Sequence, residues 1–199
     1  MSPSRGLRGL AGPSSWLPAQ TPLRKGRPLP LGERKVKNME IQSASPRELE
    51  GWMALVTAVK DAFPGLETWE ALEAHRETVL SFMDRGEAVC ALAEGRVVGI
   101  LLFSAEENVL CFLAVDPAFR RQHIAADMLS FALPLMDLKR EVTVTTYREG
   151  DPAGVPARAF YQSLGFSEGK LTEEFGSPVQ EFVLYRDANA EEQKERGHY

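Results

Sequence analysis

Three short apolar runs separated by turns constrain this chain most. Residues 88–93, 97–103 and 109–115 are mostly apolar, and only the short segments 94–96 and 104–108, with the turn residues Gly95-Arg96 and Glu106-Glu107-Asn108, divide them from one another. Runs this short, with turn residues between them, read as an antiparallel meander. The period differs on both sides of it. Ser45-Pro46-Arg47-Glu48 is an N-cap, a proline at the first helical position and an acid three residues after the cap. Leu49, Trp52, Met53, Leu55, Val56 and Val59 then form a helical stripe. Thr68 caps a second helix to about Asp84, with Leu72, His75, Val79, Leu80 and Met83 inward. After the meander a third helix is expected over 124–138, shortened or kinked at Pro134. A strand follows over 141–147, a short helix over 156–164 closed by Gly165, an extended stretch from Phe166, and a last strand over 180–185. With a short strand over 36–41 the order is β-α-α-β-β-β-α-β-α-β-β. Strands joined across helices imply a mixed sheet with helices on both faces, an α/β (α+β) fold.

Composition narrows the function. The 199 residues have no apolar run long enough to span a membrane. Two cysteines and three scattered histidines offer no metal-ligand spacing. The formal charge of -5 splits into +7 over residues 1–38 and -12 over the rest. An acidic body is unsuited to a nucleic-acid backbone. Residues 1–38 hold six of the 13 prolines and five of the 16 glycines, without apolar periodicity, and are read as a disordered basic extension. Many arginines give it some character of a transit peptide, without an amphipathic helix. The folded domain is placed at 39–186, and 187–199 as a charged tail. A cytoplasmic location is expected. Phosphate-binding glycine fingerprints of the dinucleotide and P-loop kinds are absent.

Chemistry concentrates at 113–128, a strand, a connection with two arginines, and a helix. A helix N-terminus leaves backbone N–H groups and a partial positive charge to an anion, and Ala125 and Ala126 permit close approach. A loop with two solvated arginines before a core helix reads equally from these residues alone. The segment resembles motif A of the GNAT superfamily of N-acetyltransferases, Arg/Gln-x-x-Gly-x-Gly/Ala. Arg120 takes the first position, His123 the glycine position and Ala125 the last. Ala157-Arg158-Ala159-Phe160-Tyr161-Gln162-Ser163-Leu164-Gly165-Phe166 is similar to the family's Ala-x-x-Phe-Tyr-x-x-x-Gly-Phe helix and turn. The resemblance covers about 39–186 and is nearest to small bacterial members.

The resemblance implies the GNAT fold, a sheet of six to seven strands splayed between the fourth and fifth. It implies acetyl-CoA as co-substrate, no metal, and an acetyltransferase acting on an amine. Leu113, Ala114 and Val115 fall where strand backbone meets the pantetheine arm. Arg120, Arg121, Gln122, His123, Ile124, Ala125 and Ala126 fall on the pyrophosphate loop. Tyr161 falls at the tyrosine facing the CoA sulfur, as general acid. The base is chosen among Glu67, Glu149, Asp151, Glu173 and Glu174, with Glu67 preferred because its turn rims the acceptor site in this fold. Glu173 and Glu174 are taken to lie in a loop over 171–178. Arg148 is weighed as a clamp for an acceptor carboxylate. Cys111 is read as a core residue alternating with Val109 and Leu113, not a nucleophile.

Two departures stand out. Gly154 occupies a position where the family often has asparagine. His123 replaces glycine, which is not obligatory if the backbone there is already helical. The leading reading is a small-molecule N-acetyltransferase. Its alternatives are a catalytically silent CoA-binding or regulatory module and a protein or peptide N-acetyltransferase. Homodimers are common in the family, and no sequence feature decides the state here.

Overall fold

The computed structural model describes residues 38–60, 65–174 and 176–186. The expected basic extension (apart from Asn38), the start of the first strand at Val36, the Phe63-Pro64 break and the 187–199 tail lie outside the described residues.

The chain runs β1 (Met39–Ser43), α1 (Leu49–Val59), α2 (Trp69–Asp84), β2 (Ala88–Ala93), β3 (Arg96–Ser104) and β4 (Val109–Val115). It continues through α3 (Ile124–Ala132), β5 (Val142–Tyr147), α4 (Val155–Ser163), β6 (Ser167–Glu174) and β7 (Ser177–Leu184). Both expected caps form. Glu48 Oε2 accepts the Ser45 N–H at 2.8 Å, closing a capping box, and Thr68 Oγ1 accepts the Ala71 N–H at 3.1 Å. Pro134 ends α3 early: the helix stops at Ala132 and tightens into a 3-10 turn over Leu133–Leu135.

One seven-stranded sheet has the order β1-β2-β3-β4-β5-β7-β6, and only the β4–β5 pair is parallel. Its two faces carry separate cores. Leu49, Trp52, Val56, Val79 and Phe82 of α1 and α2 pack on Cys90, Ile100, Leu102, Phe112 and Ala114. Ile124, Met128, Leu129, Ala157 and Tyr161 of α3 and α4 pack on Val98, Leu101, Leu113, Val115, Val144 and Phe182.

Two local expectations are corrected. Residues 171–174 are strand rather than loop, and 177–178 already belong to β7. Glu173 and Glu174 end β6, which pairs with β7 as far as Glu174↔Ser177. The segment Ser-Glu-Gly-Lys-Leu-Thr-Glu-Glu has one apolar residue, because an edge strand with exposed side chains needs no apolar alternation. Cys111 does not alternate simply with Val109 and Leu113. β3 pairs Leu102 with Phe112 and Phe103 with Leu110, which leaves Cys111 as the extra residue of a bulge.

The bulge lies just past the last position at which β4 pairs with β5. These strands pair at one position, Val109↔Thr143, and the Thr143 N–H donates to the Asn108 carbonyl at 3.1 Å. Beyond it β4 continues to Val115 and β5 to Tyr147 without further pairing. Asn108 fixes this vertex. Its Nδ2 donates to the carbonyls of Asp137, Arg140 and Glu141 at 3.1, 3.2 and 3.0 Å, and its Oδ1 accepts the Asp137 N–H at 2.8 Å.

Candidate active site

Strand alternation decides which backbone groups face the opening between β4 and β5. The Asp116 N–H donates to the Val98 carbonyl at 2.8 Å. In an antiparallel ladder, hydrogen-bonded pairs alternate with pairs whose polar groups point away. Ile100 and Ala114 therefore bond to one another, while the N–H and C=O groups of Leu113 and Val115 point toward β5. Of the three strand residues expected to serve the pantetheine arm, Leu113 and Val115 present backbone there and Ala114 is committed to β3. Arg120 takes part of this edge, since its Nε donates to the Val115 carbonyl at 3.3 Å. That guanidinium is half-buried, and loss of water pulls its pKa below the usual arginine range.

After β4, Asp116 caps a 3-10 turn over Pro117–Phe119 by accepting the Ala118 N–H at 2.9 Å. Arg96 bonds the same carboxylate at 2.7 Å and lies over the Phe119 ring. The chain then turns twice through the left-handed region, at Arg121 (φ 59) and His123 (φ 63, ψ 5), before α3 starts. The backbone at His123 is thus not helical, contrary to the condition under which glycine would be dispensable. The histidine adopts the conformation a glycine would have. A left-handed L-residue costs roughly 1–2 kcal/mol, and histidine is among the side chains enriched there.

The first bond within α3 runs from the Asp127 N–H to the His123 carbonyl at 2.9 Å. Ile124, Ala125 and Ala126 thus have N–H groups with no acceptor inside the helix, and the His123 side chain does not cap them. Arg121, Gln122 and His123 are exposed, and Ala125 and Ala126 are partly so. The first turn of α3 lies tight on the sheet because Gly99, paired with Val115, has no side chain. A Cβ there would stand 2.9 Å from Ile124 Cγ2 and Met128 Cε. Backbone donors, a helix dipole and two arginines suit a pyrophosphate, and the β4 edge suits an amide-containing arm.

Tyr161 is 1% exposed, with its ring among those of Phe160, Phe166 and Phe182. Burial pushes its phenol well above the ordinary tyrosine range. Arg158, three residues earlier, is buried too. Its guanidinium donates to Gln180 Oε1 and Glu168 Oε1, each at 2.6 Å, and so ties α4 to β7 and β6. Sequence reading missed this latch, although Ala157, Arg158 and Tyr161 share the helix's inward stripe. Gly154 also has a reason: a Cβ would stand 2.8 Å from Tyr147 Cβ.

Glu67 is exposed, and both its oxygens accept the Gly65 N–H at 2.9 Å, which draws its pKa down. Arg148 donates to the carbonyls of Val179 and Thr172 at 3.3 and 2.8 Å, so it clamps the hairpin. Glu174 is half-buried and accepts from Thr145 Oγ1 at 3.0 Å. Desolvation raises its pKa, partly offset by that bond. His75 is buried beside Phe112, with ring centroids 5.0 Å apart, and burial lowers its pKa to about 4. Burial likewise pushes the Cys111 thiol up to about 12, which leaves it protonated and unreactive at neutral pH. Among the described residues no group of three or more His, Cys, Asp or Glu can hold a metal ion, and no helix is long and apolar enough to cross a membrane.

Residues 84–168 match the family model described as "Acetyltransferase (GNAT) domain". The span takes in the splayed strands, the double left-handed turn and α4, and that part of the chain is similar to GNAT acetyltransferase domains. Solved structures agree on the fold. A GNAT-family acetyltransferase from Bacillus cereus superposes with a TM-score of 0.57 at 16% identity, covering 76% of this chain and 99% of that one. The PaiA N-acetyltransferase from Thermoplasma acidophilum, in complex with coenzyme A, gives 0.55 at 20%, covering 73% and 98%. Ard1 from Thermoplasma volcanium gives 0.57 at 17%, covering 75% and 98%. No curated protein is a significant sequence match.

Proposed function

We propose that this protein moves an acetyl group from acetyl-CoA to the primary amine of a small-molecule acceptor, by direct attack within a ternary complex. The observation that carries the reading is the divergence of β4 from β5 after a single paired position, with the uncapped first turn of α3 following directly from β4. The N–H groups of Ile124, Ala125 and Ala126, with Arg120 and Arg121 beside them, would hold the pyrophosphate. Leu113 and Val115 would pair with the pantetheine arm. A backbone N–H of this edge would serve the thioester oxygen as it gains charge. Tyr161, kept protonated by burial, would donate a hydrogen bond to the departing sulfur. The lowered pKa of Glu67 makes it a weak proton acceptor.

The silent-module alternative rested on His123. The glycine-like backbone at that residue weighs against it, because the loop keeps its course without glycine. Titration of acetyl-CoA into the protein by calorimetry tests the reading, and absence of saturable binding by the folded chain would end it. His123→Gly is expected to bind within about threefold of the parent, since relief of left-handed strain and the added chain entropy of glycine are each of order 1 kcal/mol. His123→Val is expected to lose about 1–2 kcal/mol of stability by urea titration, because a β-branched side chain is a true outlier in that conformation. Equal stability of the two variants would mean that the loop does not hold His123 left-handed.

A further inference from the structure

Resting on that reading, we propose that Glu174, held by Thr145, is the group that binds the acceptor's ammonium and takes its proton, and that the acceptor is a primary alkylamine charged in solution. The two faces of β5 differ. Val142, Val144 and Thr146 are buried, and the two valines belong to the core under α3 and α4. Thr143, Thr145 and Tyr147 point to the opposite face and are half-buried. That face is covered over β2, β3 and β4 by α1 and α2, whose core reaches Phe112 and Cys111 but includes no residue of β5. The uncovered strip of β5 therefore borders the opening, on the side away from Tyr161.

Glu174 reaches this strip from the far side of β7. It ends β6, the outermost strand, and yet its Oε2 lies 3.0 Å from Thr145 Oγ1 on β5. Thr145 is two residues beyond the last position at which β5 pairs with β4. The carboxylate therefore stands beside the open stretch, and Cys111 and Phe112 stand across it on β4.

Its charge is poorly compensated. Among the described residues, the nearby cations are engaged elsewhere. Lys170 pairs with Glu181 at 3.4 Å, and Arg148 donates to two carbonyls. Tyr147 of β5, Glu181 of β7, Cys111 of β4 and the buried His75 of α2 also share that face and supply no positive charge at neutral pH, and Arg85, which acts on Cys111, pairs with Glu87 at 2.6 Å. With a hydroxyl as its only donor among the described residues, this half-desolvated carboxylate gains from an incoming cation. An alkylammonium supplies the cation and, once bound, a proton to remove.

The ammonium gives one proton to the Glu174 carboxylate, and the neutral nitrogen forms its bond to the thioester carbon. The carbon–sulfur bond breaks, the sulfur leaves with its electron pair and takes up a proton, and the nitrogen loses its second proton. One proton in total is released to water, through Glu174. The face also separates the two proton tasks, with Tyr161 on the sulfur side of the sheet and Glu174 on the amine side.

The test uses the full chain, acetyl-CoA, and four probe amines: ethanolamine, putrescine, tyramine and aniline, the last neutral at assay pH. The parent should acetylate at least one alkylamine and prefer it to aniline. Glu174→Gln should keep its acetyl-CoA Kd within about twofold and its melting temperature at or above the parent's. It should lose about 100-fold in kcat/KM, the lower range of general-base contributions. The acidic limb of the parent's pH–rate profile should lie above the ordinary glutamate range and vanish in Glu174→Gln. Thr145→Val removes a bond that lowers the carboxyl pKa, so it should move that limb upward, which a merely structural role would not do. Unchanged kcat/KM and pH profile in Glu174→Gln would overturn the assignment, as would acetyl-CoA binding without turnover of any alkylamine. A parent that binds no acetyl-CoA would instead overturn the transferase reading itself.

Discussion

Gly99→Val is expected to destroy acetyl-CoA binding and to cost about 3 kcal/mol of stability, the upper part of the range for overpacking a filled core. The reason is steric and local. A Cβ at residue 99 meets Ile124 Cγ2 and Met128 Cε at 2.9 Å and Ala91 Cβ at 3.1 Å. Met128 Cε is the end of a flexible side chain and can turn away. Ile124 Cγ2 is branched at Cβ and cannot, so relief requires α3 to lift at its first turn. That turn carries the N–H groups assigned to the pyrophosphate, and Gly99 is paired with Val115, whose backbone lines the opening. Stability and binding should therefore fall together. Gly99→Ala should show the same signs at smaller size. Adding Ile124→Ala to it removes the clashing methyl and should recover part of both losses, a coupling that a double-mutant cycle reads directly. An alanine variant with parental affinity would show that α3 does not depend on this contact.

Local structure was legible in the sequence where it depends on neighbouring residues. Caps at Ser45 and Thr68, the stop at Pro134, and the strand–loop–helix at 113–128 all follow from neighbouring residues. What escaped depends on partners distant in the chain. The bulge at Cys111 is a property of register between β3 and β4, and no periodicity in β4 alone shows it. β6 is an edge strand whose polar side chains face water, so it read as a loop and concealed the reach of Glu174 to Thr145. The left-handed turns at Arg121 and His123 are imposed by the join of β4 to α3, on residue types that do not advertise positive φ as glycine does. Glu67 was legible as a carboxylate in a turn, but not as one whose oxygens both serve the Gly65 N–H.

Asn108→Ala is expected to lower stability by about 3 kcal/mol in urea titration and to weaken acetyl-CoA binding by about tenfold. Asn108 is 1% exposed, and its amide joins the β3–β4 turn to the chain entering β5, with the two Nδ2 hydrogens shared among three carbonyls and Oδ1 accepting one bond. A typical bond of this kind contributes about 1 kcal/mol net, and each buried partner left unsatisfied costs about 1–3 kcal/mol. Asp137, Arg140 and Glu141 are exposed residues, so water restores part of the loss and the lower sum applies. Asn108 also sits at φ 59, where alanine adds left-handed strain of about 1 kcal/mol. Asn108→Gly separates the two terms, because it keeps the conformation and loses only the side-chain bonds. The binding effect has a distinct cause. β5 is registered against β4 only at Val109↔Thr143, next to the bond from the Thr143 N–H to the Asn108 carbonyl. Freeing the chain that leads into β5 lets that strand drift, and the width of the opening is then set by β7 alone. A glycine variant that loses stability yet binds acetyl-CoA as the parent does would show that the vertex, and not the side-chain lock, sets the opening.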